Sequence, residues 1–253
     1  MTPRAAVEHF HLWVCRLLCA GPDRADFAIK GGCNLRFFFG SVRYSEDLDL
    51  DVQRVPVRTL KGRVEALLEG PALRNALRSR GISVHSLSAP KQTETTQRWK
   101  ISLQVPGAAV PVPTKVEFSR RGDIQGAVVE PLDAAFAREH QQHVVLLPHY
   151  TVEAALAQKV RALVGRTQVQ ARDVFDLSVL FSRVADPARA LAPVKGELER
   201  AVDRAMALSW DEYAGQVVAY LSSEHAHGLD TREAWDALQL QVVERLQRAE
   251  GER

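Results

Sequence analysis

Apolar residues in the first half of the chain recur at two different spacings. In residues 3–19, Val7, Phe10 and Val14 recur every three to four positions, which is typical of one helix face. Later segments alternate apolar and polar residues, which is typical of strands with one buried face. This pattern predicts a mixed α/β half with helices at 3–19, 34–39 and 58–80, the last broken at Gly70-Pro71, and strands at 27–29, 46–52, 82–87, 98–105 and 112–119.

The second half of the chain keeps the helical spacing throughout. Thr151 has a side chain suited to a helix N-cap, and Leu156, Val160 and Leu163 follow on one helical face. Further helices are predicted near 171–181, 187–205, 210–221 and 231–248, with no strand between them. We therefore predict an α+β protein, with an α/β lobe at 1–148, a boundary at Pro148 and an all-α lobe at 149–253.

Composition excludes several classes of protein. A chain of 253 residues with 46% hydrophobic and 25% charged side chains has the make-up of one large globular domain or two small ones, and of neither a disordered chain nor a fused multi-enzyme. Its three cysteines are too few and too closely spaced for a disulfide scaffold, which favours a reducing compartment. Without an apolar run of about 18 residues or a signal peptide, we expect a cytoplasmic protein and no membrane partner.

The net charge of +2 conceals a strongly basic segment. Residues 52–121 carry 13 basic and 4 acidic side chains, a local charge of +9. An excess of this size suits a phosphate-rich partner such as RNA, because arginine and lysine pair with phosphate oxygens. The alternative is a solvated face, since 26 of the 33 basic residues are arginine, a bias that genomic base composition also produces.

The most informative segment is the predicted strand at 46–52. Asp47, Asp49 and Asp51 fall on one face of it, and leucine and valine on the other. Carboxylates two residues apart repel one another unless a cation lies between them, and Mg²⁺ is the natural candidate. The alternative is an exposed acidic edge strand. Spacing alone does not fix which two of the three aspartates would bind metal.

The strand at 112–119 places Lys115, Glu117 and Ser119 on one face. If it pairs beside the acidic strand, Glu117 supplies a third carboxylate to a two-metal site of the kind used in phosphoryl and nucleotidyl transfer. Otherwise, Glu117 is an ordinary solvent-facing glutamate.

Two glycine-containing pairs precede the acidic strand. Gly31-Gly32 lies between an extended segment and a helix, where glycines allow close approach of backbone amides to phosphate. Gly-Gly alone is also compatible with a simple turn. Gly40-Ser41 is a competing pair closer to the acids, but Gly31-Gly32 is favoured because an intervening helix leaves room for the chain to reverse direction before the strand. The histidines form no ligand cluster, and His140, His143 and His149 are predicted in a surface loop.

Three motifs in this order resemble a known family. Lys30-Gly31-Gly32-Cys33-Asn34-Leu35 comes first, then Arg43-Tyr44-Ser45-Glu46-Asp47-Leu48-Asp49-Leu50, and finally Lys159 with Ala171-Arg172-Asp173-Val174-Phe175-Asp176-Leu177. Together they are similar to the AbiEii/AbiGii toxin family of nucleotidyltransferases, which includes the MenT toxins. The resemblance extends from residue 30 to residue 177.

The resemblance implies a DNA polymerase-β-like nucleotidyltransferase fold followed by a helical lobe. It implies a toxin of a type IV-like toxin–antitoxin pair, with a cognate antitoxin encoded next to it. The implied activity is Mg²⁺-dependent transfer of NMP from an NTP to an acceptor, in characterised members the 3′ end of tRNA, which blocks translation. Implied roles are metal binding by Asp47 and Asp49, a third acid at Glu117, nucleotide binding by Lys30, Gly31, Gly32 and Ser45, triphosphate neutralisation by Lys159, and completion of the site by Asp173 with Arg172.

The residues themselves leave some of these roles open. Arg172 and Asp176 are spaced for an i,i+4 salt bridge, whereas Asp173 lacks such an explanation. Cys33 stands where many relatives have a hydroxyl residue, so one phosphate contact is either weakened or taken over by Asn34. Two other functions remain: nucleotide transfer to a protein or small-molecule hydroxyl, and a non-catalytic nucleotide- or RNA-binding module.

Overall fold

The computed structural model describes residues 1–120, 122–141 and 145–251, and its contacts divide the chain into two compact units. The first unit comprises Met1–Phe38 and Ser45–Tyr150, and the second comprises Phe39–Tyr44 and the chain from Thr151 onward. Pro148, predicted to mark the boundary, lies inside a strand that continues to Tyr150. The sequence pattern does not predict that Phe39–Tyr44 belongs with the helical half.

The first unit is built on a seven-stranded mixed sheet with the strand order β3-β4-β5-β2-β1-β7-β6. Its strands are β1 (Phe27–Lys30), β2 (Asp47–Val52), β3 (Ser83–Gln92), β4 (Thr96–Gln104), β5 (Val112–Ser119), β6 (Ala127–Pro131) and β7 (Leu146–Tyr150). Its helices are α1 (Pro3–Leu18), α2 (Gly31–Phe38), α3 (Val57–Glu69), α4 (Pro71–Arg78) and α5 (Ala134–Glu139). β2 runs parallel to β5, and β1 runs parallel to β7, while the other neighbouring pairs are antiparallel.

The core of this unit lies on the apolar face of the sheet. Leu48, Leu50, Val116, Phe118 and Trp99 are fully buried there. Their alternation with polar residues is the pattern that the sequence predicts for strands with one buried face.

Three elements of the first unit are not predicted by the sequence pattern: β6, α5 and β7. β6 is mostly exposed and β7 contains a proline, so neither shows a strand signal. The expected surface loop is therefore wrong for two of its histidines. His140 is buried at the end of α5, and His149 is buried in β7 with its ring stacked on Phe38, whereas His143 lies outside the described residues.

The second unit is helical. It contains α6 (Val152–Gly165), α7 (Ala171–Phe181), α8 (Pro187–Leu191), α9 (Leu198–Met206), α10 (Trp210–Gln216), α11 (Ser223–Ala226) and α12 (Arg232–Gly251). Thr151 caps α6, as predicted, by accepting a hydrogen bond from the amide of Ala154 at 3.3 Å. The single helix predicted at 187–205 is interrupted between α8 and α9, where Val194 leaves helical geometry. Across the described part of the chain, we find no helix with the length and apolarity needed to cross a membrane.

Candidate active site

Three carboxylates lie along one face of β2. Asp47, Asp49 and Asp51 are each partly exposed, while the leucines and the valine that alternate with them are at most 1% exposed. β2 lies between β5 and β1 in the interior of the sheet. The acidic row is therefore not an edge strand, and a role in discouraging aggregation at a sheet edge is wrong.

The parallel pairing of β2 with β5 adds a fourth acid to this face. It places Glu117 directly beside Asp49, and Lys115 beside Asp47. Residues paired in this way on neighbouring strands have side chains on the same face of the sheet. The pairing predicted conditionally from the sequence is thus present, and Glu117 lies next to the acidic row.

The outer carboxylates have cationic partners and the central one does not. Lys115 Nζ lies 2.8 Å from Asp47 and Arg98 Nε lies 2.5 Å from Glu117, whereas no described residue forms an ion pair with Asp49. Burial raises the pKa of Asp49; Lys115 and Lys30 oppose this, and the negative charges of Asp47 and Glu117 add to it. The site around Asp49 therefore has an excess of negative charge.

The donor atoms offered by Asp47, Asp49 and Glu117 are all carboxylate oxygens, the ligand type preferred by Mg²⁺ and other hard divalent cations. Their oxygens do not come within 4.8 Å of one another as a set. Each of the two outer carboxylates is held by a cation on the neighbouring strand, Asp47 by Lys115 on β5 and Glu117 by Arg98 on β4. The residues fit a divalent cation, and binding of one ion by all three carboxylates would require at least one of these side chains to move.

Asp51 occupies a different environment from the other two aspartates. Lys30 Nζ lies 2.6 Å from one oxygen, and the hydroxyl of Tyr150 donates to the other at 2.7 Å. Both carboxylate oxygens are therefore engaged. Lys30, which the family resemblance assigns to the nucleotide, lies at Asp51, and this geometry favours Asp47 and Asp49 over Asp51 as metal ligands.

Gly31 lies at the start of α2 and against the acidic row. Its φ is +64°, and a Cβ at this position would lie 3.4 Å from Asp49 Oδ2. The first amides of a helix have no partners within the helix, so the start of α2 presents N–H groups beside Asp49. Gly40, of the competing Gly40-Ser41 pair, has a φ of +67° and belongs to the second unit, where a Cβ would lie 2.8 Å from Arg183.

Buried polar side chains fix the main chain that enters β2. Thr114 Oγ1 donates to the carbonyl of Glu46 at 2.7 Å, and His11 Nε2 lies 2.7 Å from the same hydroxyl. Because the threonine proton is directed to Glu46, His11 donates through Nε2. Burial lowers the pKa of His11 to about 3, so its ring is neutral. The main chain immediately before Asp47 is thus fixed by Thr114 on β5, which is itself supported by His11 on α1.

The carbonyl of Asp47 is held in the same way. Cys33 Sγ donates to it at 3.2 Å, and Ser45 Oγ donates to it at 3.0 Å. Burial raises the pKa of the Cys33 thiol well above its usual range, so the thiol stays protonated. Cys33 and Ser45, discussed above for nucleotide contacts, therefore both bind the backbone of the acidic strand.

The second unit contains a buried cluster of charges. Lys159 Nζ lies 3.1 Å from Asp173 and 2.5 Å from Asp176, and both aspartates are fully buried. Arg43 donates two hydrogen bonds to Asp176, at 3.2 and 3.1 Å, and Arg166 donates one to Asp173 at 2.7 Å. The cluster joins the second and third sequence motifs, because Arg43 belongs to the second motif and Asp176 to the third.

The charges in this cluster stabilise one another. Burial by itself lowers the pKa of Lys159, but Asp176 and Asp173 outweigh burial and raise it. Burial raises the pKa of Asp176, but Arg43 and Lys159 outweigh burial and lower it. The predicted i,i+4 pair of Arg172 with Asp176 is wrong, because Arg43 and Lys159 take both oxygens of this buried carboxylate. Arg172 is partly exposed.

A separate cluster in the first unit has the geometry of a metal site. Glu8, Glu139 and His140 offer ligand atoms within 4.8 Å of one another, which the sequence does not predict. Arg36 occupies this cluster, with Nε 2.7 Å from Glu8 and Nη2 2.9 Å from Glu139. His140 Nε2 lies 2.9 Å from Glu8. The guanidinium compensates the two carboxylates without a metal ion.

Several residues of the candidate site have no signal in the local sequence. Arg98 reaches Glu117 through the register of β4 with β5. Tyr150 reaches Asp51 from β7, a strand that contains a proline. Lys115 is detectable, because it alternates with Glu117 on one predicted face. Arg43 stands in the second motif, although its partner Asp176 is apparent only in three dimensions.

Comparison with known proteins agrees with the motifs. A family model described as nucleotidyl transferase AbiEii toxin, type IV TA system, matches residues 14–249. The structure of MenT4, a nucleotidyltransferase toxin from Mycobacterium tuberculosis H37Rv, aligns with a TM-score of 0.64 and 19% identity over 96% of this chain and 82% of that one. JHP933 from Helicobacter pylori aligns with a TM-score of 0.60 and 17% identity over 98% of this chain and 95% of that one. No curated protein sequence matches the chain.

Proposed function

The chain belongs to the AbiEii family of nucleotidyltransferase toxins of type IV toxin–antitoxin systems, and from this premise we propose that it transfers NMP from an NTP to the 3′ end of tRNA and so inhibits translation. Family membership makes the chain a nucleotidyltransferase and implies an NTP substrate, a divalent cation and a cognate antitoxin as partner. We further propose that the divalent cation is Mg²⁺, that the protein acts in the cytoplasm, and that the antitoxin gene lies next to its own.

The observation that carries the proposal is the position of Asp49. It lies between Asp47 and Glu117 on one sheet face, with a pKa raised by burial and no ion-pair partner among the described residues. We assign Asp47, Asp49 and Glu117 as the metal-binding residues. A bound divalent cation would lower the pKa of the acceptor hydroxyl and stabilise charge that develops on the phosphates.

The start of α2 is the proposed site for the triphosphate. Gly31 and Gly32 leave room for phosphate oxygens at the helix amides, and Lys30 adds a positive charge at the end of β1. Ser45 supports this site through the carbonyl of Asp47. The antiparallel β1–β2 pair with α2 between its strands in sequence supports a DNA polymerase-β-like fold for the first unit.

The helical unit supplies residues whose roles are proposed from the family alone. Lys159 is assigned to the triphosphate, and Asp173 and Arg172 to completion of the site. The buried ion pairs of Lys159 with Asp173 and Asp176 also support a second role, in which the cluster stabilises the helical unit.

The test is incubation of the purified chain with total tRNA, Mg²⁺ and each α-³²P-labelled NTP in turn. We expect label in tRNA with one or a few nucleotides, and none after removal of divalent metal with EDTA. Label in a polypeptide or in a small molecule instead would show a different acceptor. Absence of metal-dependent label with every NTP and acceptor would contradict catalysis and leave a binding module.

A further inference from the structure

A groove of about 500 Å³ opens beside Asp47 on the polar face of the sheet. We propose that this groove binds the sugar-phosphate backbone of a single-stranded 3′ end, the part of the acceptor nearest the reacting hydroxyl. The inference rests on the proposed function and adds the location of the acceptor strand. We call this groove the serine–lysine groove, and its polar lining consists of Ser86, Ser88, Lys100, Ser102 and Lys115 together with Glu46, Asp47 and Thr114.

Strand register aligns this groove with the acidic row. Lys115 on β5 pairs with Asp47 on one side and with Lys100 on β4 on the other. Lys100 in turn pairs with Ser88 on β3. One line of side chains therefore crosses four strands from the proposed metal site to the edge of the sheet. With neighbouring strands about 4.8 Å apart, the three strands from Lys115 to Ser88 span roughly 10 Å, the length of about three stacked nucleotides.

The chemistry of the groove suits phosphate and sugar oxygens. Lys100 is exposed, and in the described part of the chain it forms no ion pair, so its ammonium is available to a phosphate. Ser86 and Ser102 are hydrogen-bonded to each other across β3 and β4, and Ser88 is exposed beside them. Ammonium and hydroxyl groups donate to phosphate and sugar oxygens and position a strand without selecting its bases.

The position of the groove favours the acceptor over the triphosphate. In an in-line displacement, the attacking and leaving oxygens lie on opposite sides of the phosphorus. Gly31 and the start of α2 follow β1, which borders the acidic strand on one side, and the groove lies on β5, β4 and β3, on the other side. With the triphosphate at α2, the attacking hydroxyl approaches from the serine–lysine groove.

The rest of the basic segment at 52–121 does not extend this surface uniformly. Arg54 is paired with Asp26, and Arg63 with Asp23. Arg74 donates to the carbonyl of Glu69 at 3.0 Å. Arg121, at the end of the segment, lies outside the described residues. The local charge of +9 is therefore distributed over several surfaces, and Lys100 is the cation that we assign to RNA.

The experiment measures binding of fluorescently labelled tRNA by anisotropy without NTP, over a range of salt concentrations. Lys100→Ala removes one phosphate contact, so we expect Kd to rise about fivefold at 0.1 M salt and the slope of log Kd against log salt to fall by about one. Lys100→Arg should restore both. The matched control is Lys61→Ala, on α3 in the same basic segment, where the exposed pair with Glu65 contributes little.

The outcomes separate this inference from the proposed function. Unchanged Kd and salt slope in Lys100→Ala would overturn the groove, even if the wild type labels tRNA. A raised KM for NTP with unchanged tRNA binding would also overturn it, because the groove would then hold the triphosphate. Weakened tRNA binding in Lys100→Ala, together with no labelling by the wild type, would support the groove and contradict the proposed transfer.

Discussion

The hydroxyl of Thr114 donates to the main-chain carbonyl of Glu46 at 2.7 Å, one residue before the first aspartate of the acidic row. His11 supports this hydroxyl from α1, and Cys33 holds the next carbonyl from α2. Buried side chains on three other elements thus determine the path of the strand that carries the acids. Positioning of this kind matters because displacements of about 1 Å at a reacting centre cost large factors in rate.

Thr114→Val is expected to reduce turnover and stability together. The substitution keeps the shape of the side chain but leaves the carbonyl of Glu46 and the Nε2–H group of His11 without their partner. We expect kcat to fall by about tenfold to a hundredfold and the free energy of unfolding to fall by about 1–3 kcal/mol. Thr114→Ser keeps the hydroxyl and should retain most of both quantities. The two quantities are measured by steady-state kinetics and by urea unfolding. A wild-type kcat in Thr114→Val would show that the hydroxyl does not position Asp47.

The neutral state of His11 predicts how stability depends on pH. In the folded protein its pKa is lowered to about 3 by burial, whereas in the unfolded chain the ring binds a proton at the ordinary histidine pKa of 6.5. The stabilising contribution is therefore present above pH 6.5 and is lost as pH falls, by about 2 kcal/mol in total between pH 7 and pH 5 and then by about 1.4 kcal/mol per pH unit down to the folded pKa. Between pH 7 and pH 5, the free energy of unfolding of His11→Gln in urea should fall by about 2 kcal/mol less than that of the wild type, and equal falls would contradict a buried neutral histidine.

A side chain at Gly31 is predicted to destabilise the protein and to weaken NTP binding. Its φ of +64° is unfavourable for any other residue, and a Cβ would contact Asp49 at 3.4 Å. Gly31→Ala should lower the free energy of unfolding by about 1–2 kcal/mol and raise the KM for NTP. Gly62→Ala is the matched control, since this helical glycine has open space around it, and it should stabilise the protein by about 0.5–1 kcal/mol. Equal effects of the two substitutions would contradict this assignment.

Substitutions of Lys159 and of Arg172 are predicted to change the free energy of unfolding by very different amounts. Lys159→Met leaves Asp173 and Asp176 buried with less positive charge, so we expect a loss of about 3–5 kcal/mol in the free energy of unfolding. Arg172→Ala, at a partly exposed position, should change stability by less than about 0.5 kcal/mol. If Lys159→Met folds with wild-type stability and loses activity, Lys159 acts on the substrate and not on the fold.

The sequence predicts which face the acids occupy, because the alternation from Asp47 to Val52 is a local property of one strand. It does not predict that Asp49 lies beside Glu117, which depends on the pairing of strands more than 60 residues apart. The same limit applies to Arg98, which reaches Glu117 through the register of β4 with β5.

Prolines account for other differences between the pattern and the structure. Pro148 suggests a boundary, yet it lies in β7, where Val129 on β6 is its partner. Because this strand has no local signal, neither Tyr150 at Asp51 nor His149 on Phe38 is predictable from its neighbours in sequence. The Arg43–Asp176 pair, whose members are 133 residues apart, likewise emerges only when the second unit is folded.

The central claim is tested most directly by comparing Asp49→Asn with Asp51→Asn in the labelling of tRNA from an α-³²P NTP. Both variants remove one negative charge from the same face of β2, and both should be checked for native stability first. We predict that Asp49→Asn loses activity by at least about a hundredfold, while Asp51→Asn, which keeps the hydrogen-bonding shape beside Tyr150, stays within about tenfold of the wild type. Wild-type labelling by Asp49→Asn would contradict the assigned site.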